Sequence, residues 1–155
     1  MSVRASSIAN AGLGVFATEV IFENQIVTGC TYGGDVLTFV EARCTTNKDY
    51  LMALHFNVHV DASCRSCLGY LGRYVNDLRG GDGDEEQKNE KREFTLSSKK
   101  ENNVVFVKDV ESRSASLKAL RAIAVGEELT AAYGEQYWRH RRLEREGRMR
   151  DSTSK

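Results

Sequence analysis

Apolar positions in this chain come in short bursts, cut apart by glycine, asparagine and aspartate, and few stretches hold a regular period for long. Short clusters of β-branched and aromatic residues bounded by turn formers read as strands. Gly14-Val15-Phe16-Ala17, Ile26-Val27-Thr28 and Val58-His59-Val60-Asp61 fit that description, and Val104-Val105-Phe106-Val107 is the clearest case. Phe39 to Leu54 is the best helix candidate in the first half, with Thr45-Thr46-Asn47 as a candidate interruption. Leu117 to Ile123 suits a helix by its Ala and Leu content and a strand by its shortness and flanking turns. Tyr137 to Arg150 carries helix formers throughout, weakened by Gly147. The pattern predicts a mainly β (α+β) domain with few short helices.

Composition narrows this further. The chain has 155 residues, enough for one domain with its own core. At 41% hydrophobic and 28% charged it is ordinary for a soluble globular protein. Proline is absent and glycine numbers 13, so the turns fall to Gly, Asn and Asp. Lys+Arg and Asp+Glu both total 22, and the whole-chain charge is no argument for nucleic acid. No apolar run approaches the roughly 20 residues of a membrane span, so no membrane partner is expected. The N-terminus lacks the apolar core of a signal peptide. An intracellular setting, nucleus or cytoplasm, is therefore expected, with Cys30, Cys44, Cys64 and Cys67 as reduced thiols. Cys64-Arg-Ser-Cys67 is half of a zinc site, but Cys30 and Cys44 lie at irregular spacing, and no metal site is expected.

Two segments change the picture of a uniformly packed chain. Residues 79–100 are dominated by Gly, Asp, Glu, Lys and Arg and would bury almost nothing, which predicts a flexible charged insertion. From Arg139 to Arg150 there are six arginines against two glutamates. That tail reads either as a solvated helix or as a basic patch for an acidic partner such as chromatin. The expected layout is a domain over residues 1–138 and a basic helical tail over 139–155.

The densest chemistry lies at Gly126-Glu127-Glu128-Leu129-Thr130-Ala131-Ala132-Tyr133-Gly134-Glu135-Gln136-Tyr137-Trp138. A tyrosine ring wants burial and its hydroxyl wants a partner. Tyr133, Tyr137 and Trp138 so close together imply a pocket or, equally on this segment alone, an aromatic mini-core. Gly12-x-Gly14 lets backbone approach a ligand closely, because two residues lack Cβ. As a dinucleotide fingerprint it fails, since no third glycine arrives and a strand follows.

Taken together, these pieces resemble the SET-domain protein lysine methyltransferases. Ala11-Gly12-Leu13-Gly14-Val15-Phe16-Ala17 resembles the family's opening glycine-rich turn and strand, and Ile26-Val27 with Tyr32-Gly33-Gly34 its next strand and turn. Arg73-Tyr74-Val75-Asn76 resembles the central signature, which Asn103-Val104 closes. Leu120 to Thr130 followed by Tyr133-Gly134 is similar to the C-terminal motif almost position for position. Lys48-Asp49-Tyr50-Leu51 and Tyr137-Trp138 are similar to the smallest, virus-encoded members, which lack flanking zinc modules. The resemblance implies a β-clip of small curved sheets with a knot-like C-terminal crossing. It also implies methyl transfer from S-adenosylmethionine to a protein lysine, a histone tail or another peptide. The cofactor-binding residues so implied are Gly12, Leu13, Gly14, Arg73, Tyr74, Asn76, Asp77, Tyr133 and Trp138. Tyr133 and Tyr50 are the implied catalytic pair. Trp138 could offer a stacking face for adenine or be a plain core tryptophan. Homodimerisation, known among small relatives, stays open.

The reaction needs a neutral amine, and free lysine, with a pKa near 10.4, is neutral in roughly one molecule in a thousand at pH 7. A narrow apolar channel disfavours the ammonium, so alignment matters more than a strong base. Tyr133, with a phenol pKa near 10, is expected to orient the amine and not to take its proton. The chain departs from the family pattern in three places. Asp77 follows Asn76 where a histidine is usual, Asn102 stands where a proline is usual, and residues 79–100 split the signature. Arginines, not the cysteines of a zinc-bound flap, follow Trp138. The alternative function is a catalytically inactive binding module of the same fold.

Overall fold

The computed structural model describes residues 1–64, 69–81 and 101–152; for 80–81 and 144–152 only the backbone course is described. Most of the charged insertion, Cys67 and the last residues of the tail lie outside the described residues. The strands are β1 (Ser2–Ala5), β2 (Leu13–Phe16), β3 (Ile26–Tyr32), β4 (Asp35–Leu37), β5 (Leu51–His55), β6 (Val58–Asp61), β7 (Val104–Asp109) and β8 (Ser114–Ala119). Two α-helices, α1 (Phe39–Cys44) and α2 (Glu135–Ser152), and short 3-10 turns at Leu71–Tyr74 and Leu78–Gly81 complete the set. The strands form three small antiparallel sheets, ordered β1-β2, β3-β8-β7 and β4-β6-β5. This is the mainly β architecture expected.

Two expectations resolve in instructive ways. The helix beginning at Phe39 stops at Cys44, because Thr45 turns extended at φ −62°, ψ 125°. Thr38 starts it with a capping box: its side chain accepts from Glu41 N, while Glu41 Oε2 accepts from Thr38 N at 2.8 Å. Lys48 Nζ then donates to the carbonyls of Ala42 and Arg43 at the helix's end. The remainder of the candidate helix contains strand β5. In the ambiguous stretch, the strand reading holds for Leu117 to Ala119. The strand begins at Ser114, and Ala115, Leu117 and Ala119 point inward in strict alternation with Ser114, Ser116 and Lys118.

The principal core gathers Val15, Ile21, Val27, Val75, Val104, Leu117, Ile123 and Leu129. Each such side chain contributes about 1.5–3 kcal/mol when fully buried. A second cluster holds Tyr32, Leu54, Val60, Ala62 and Ala115, with Tyr50, Met52 and Phe106 packed against it. The segment Glu128 to Ala131 is buried throughout and threads between other parts of the chain. Leu129 N donates to Val15 O, Ala131 N to Asn76 O, and Asn103 N and Val104 N to Thr130 O, all within 2.8–3.0 Å. The parallel bridges Asn76↔Thr130 and Val104↔Ala131 mark this crossing, the knot-like feature expected of the C-terminal motif.

Cys64 is disulfide-bonded, which corrects the expectation of reduced thiols at that residue. That expectation rested on the missing export signal, which bears on compartment and not on how one thiol is placed. Cys30 and Cys44 are free. Burial pushes the Cys30 thiol up to about 12.

Candidate functional site

The site is built where the crossing meets the two cores. Val75 and Asn76 leave the Leu71–Tyr74 turn side by side and take hold of the two ends of the domain. The Tyr133 hydroxyl donates to Val75 O at 2.9 Å. Asn76 Nδ2 donates to Leu13 O at 2.9 Å and reaches Glu128 Oε1 at 3.3 Å. The glycine turn and the C-terminal phenol therefore meet on adjacent residues, although more than a hundred positions separate them in the chain.

Gly12 and Gly14 serve different ends. Gly12 takes φ +74° with open space where a Cβ would stand. At Gly14 a Cβ would lie 2.1 Å from Glu128 Oε1, so the close approach there is to the protein's own carboxylate. Glu128 is 8% exposed and accepts from Ser6 Oγ at 2.6 Å, Ser7 N at 2.8 Å and Ser7 Oγ at 2.6 Å. Burial raises its pKa, but the hydrogen bonds from Ser6, Ser7 and Asn76 outweigh that, and it ends below the ordinary carboxylate value. Sequence reasoning missed Glu128, Ser6 and Ser7. The run of two acids after Gly126 was the available signal, but nothing in it told which acid would turn inward.

Asp77 is 2% exposed and is saturated from within. Oδ1 accepts from Arg79 N at 3.1 Å and Asn102 Nδ2 at 3.3 Å; Oδ2 accepts from Tyr133 N at 2.8 Å and Trp138 Nε1 at 2.9 Å. Its side chain fastens the aromatic segment and has little left for a ligand. The two unusual residues of the signature, Asp77 and Asn102, are thus bonded to each other, and Asn102 Oδ1 also accepts from Leu78 N. Asn103, fully buried, ties the crossing by donating to Glu128 O and accepting from Thr130 N, each at 2.8 Å.

On the other side of Tyr133 lies a cavity of about 420 Å³, walled by Tyr32, Tyr50, Phe106, Tyr133 and Tyr137 with Val75 and Met52. Tyr32 stands edge-on to Phe106 with centroids 5.8 Å apart, and its hydroxyl donates to Tyr50 O. Burial and the neighbouring Tyr137 push the Tyr133 phenol far above its usual range, so it stays protonated as a donor. Tyr50 also lines the cavity, beneath the Arg73 guanidinium at 4.4 Å. Arg73 is a cavity residue, and Tyr74 packs against the principal core with that guanidinium 5.3 Å above its ring. Trp138 lies behind Tyr133, nearly parallel to it at 6.1 Å and 13°, with Tyr137 edge-on to both. The segment is thus a pocket wall at Tyr133 and Tyr137 and a small aromatic stack at Trp138.

A phenol held beside an aromatic cavity, an asparagine on a glycine turn and a threaded C-terminal segment define the class of protein. The SET-domain family model matches residues 12–134, well over half of the chain, and the chain belongs to that family. SET domains are in general protein lysine methyltransferases. No curated protein matches this chain.

Proposed function

We propose that this protein transfers a methyl group from S-adenosylmethionine to the ε-amine of a protein lysine, with histone tails as the first substrates to assay. The observation that carries the reading is the convergence at residues 75 and 76: Tyr133 on Val75 O and Leu13 O on Asn76. Asn76 uses its amide nitrogen on the protein, while its Oδ1 has no partner among the described residues. That oxygen suits the ammonium of an amino acid end, beside Leu13 and the open space at Gly12. Asn76, the Gly12–Gly14 turn and the stack at Trp138 are the residues that would hold the cofactor. Bound there, it would supply an electrophilic methyl on a sulfonium sulfur.

The remaining work belongs to the cavity. Its aromatic walls strip water from an entering lysine and so favour the neutral amine over the ammonium. The Tyr133 hydroxyl, kept protonated by burial, orients groups by hydrogen bonding and does not act as the base; the lysine ammonium would give up its proton to water before the transfer. Tyr50, which lines the same cavity, would help to enclose the amine. Calorimetric titration with S-adenosylmethionine tests the first half of the proposal; absence of binding excludes the enzyme and leaves the binding module. Tyr133→Phe tests the second. Turnover on histone or peptide substrates should fall on the order of 100-fold, as when one positioned donor is removed from an active site. Unchanged turnover refutes the role of the hydroxyl.

A further inference from the structure

The lining of the aromatic cavity carries charges that methyl transfer itself does not use. Lys48, Arg73 and Lys108 line it, against a single carboxylate, Asp49, among the described residues. Asp49 is already matched by Arg141 at 2.7 Å. Lys48 is engaged with the carbonyls at the end of α1. Lys108, by contrast, is exposed near the end of β7 and belongs to no ion pair among the described residues. Arg73 lies over Tyr50 and, among the described residues, donates to Cys64 O at 3.2 Å. Among the described residues its Nε is buried without a hydrogen-bond partner, as is Nδ1 of His59 in the same cavity wall.

Arginine can only donate, so the complement of the Arg73 guanidinium is an acceptor oxygen. A buried donor left unmatched is unfavourable, and planar guanidinium groups pair best with carboxylates. The cavity also holds Tyr133 and Tyr50, so an acidic group entering with the amine would meet the positive charge of Arg73 and Lys108 in the same wall. We infer, resting on the lysine-methylation reading above, that the cavity selects a target lysine flanked by aspartate or glutamate, with the positive charges of Arg73 and Lys108 recognising the carboxylate. A lysine set among other lysines and arginines meets like charge there and is disfavoured. This narrows the histone segments worth assaying to those with acidic neighbours.

Fluorescence anisotropy with three labelled peptides, identical except for glutamate, glutamine or lysine on either side of the target lysine, tests this on the full chain. The glutamate peptide should bind about fivefold tighter than the glutamine peptide at low salt, a gap that closes at about 0.5 M salt. Lys108→Glu, a change at an exposed position, should shift preference toward the lysine-flanked peptide. Equal or tighter binding of the glutamine peptide, or no binding of any, overturns the inference. Tritiated methyl transfer to the same peptides separates the two readings. Preference without transfer sinks the methylation proposal and leaves the selectivity intact, whereas transfer without preference does the reverse.

Discussion

The chain crossing and the aromatic cavity share the short segment from Arg73 to Asp77, yet they treat polar atoms in opposite ways. At the crossing, Asp77, Asn103 and Glu128 are buried, and their polar atoms are largely taken up by the chain itself. Around the cavity, Arg73 Nε and His59 Nδ1 are buried without hydrogen-bond partners among the described residues, beside the rings of Tyr32, Tyr50, Phe106, Tyr133 and Tyr137. A satisfied polar network rigidifies a fold, and an unsatisfied one beside a cavity is where a ligand gains. Stability should therefore reside at the crossing and selectivity at the cavity.

The sharpest way to break that contrast is Asp77→Ala, which strands donors from Arg79, Asn102, Tyr133 and Trp138. Chemical denaturation should show a loss of about 3 kcal/mol or more; a loss well below 1 kcal/mol would mean the network is ornamental. Gly14→Ala should follow at about 2 kcal/mol, because the new methyl displaces the Glu128 carboxylate from Ser6 and Ser7. The acid limb of stability then reports the carboxylates directly. Glu127 and Glu128 both have folded pKa values below the ordinary 4.5, the hydrogen bonds outweighing burial. Their contribution is complete above the unfolded value and is lost as pH falls through the folded ones. Denaturation midpoints should drop below about pH 4.5, and Glu128→Gln should flatten that drop while lowering the plateau; a parallel curve would refute the assignment.

Tyr133→Phe belongs to the other region and should behave in the opposite way. Its stability should change by only about 1 kcal/mol, the worth of one hydrogen bond, while turnover collapses. If stability fell as far as for Asp77→Ala, the two regions would not be separable. Smallest of all is Arg141→Ala, which removes a partly exposed pair with Asp49 and should shift stability by no more than about 0.5 kcal/mol.

The four strand segments read from the pattern of apolar residues all appear as strands or strand parts, because short β-branched clusters between turns carry their own instruction. Asn10 and Asn24 take left-handed backbone, in keeping with turns built without proline. The helix from Phe39 ends where Thr45-Thr46-Asn47 offers an interruption, and the pairing of β5 with β6 decides that the continuation is strand. Tyr133, Asn76 and the glycine turn were legible because they sit in motifs of recognisable order. Glu128, Ser6 and Ser7 were not, since their bond spans over a hundred residues and no local period announces it.

Residue order alone determined the short strands, the turns, the aromatic segment and membership of the family, all of which depend on neighbours within a few positions. The tertiary structure alone decided which acid turns inward, what Gly14 makes room for, that Asp77 and Asn102 answer each other, and which cations face the cavity unmatched. Those outcomes depend on distances between remote segments, set only when the segment Glu128 to Ala131 threads the crossing and water is excluded around it.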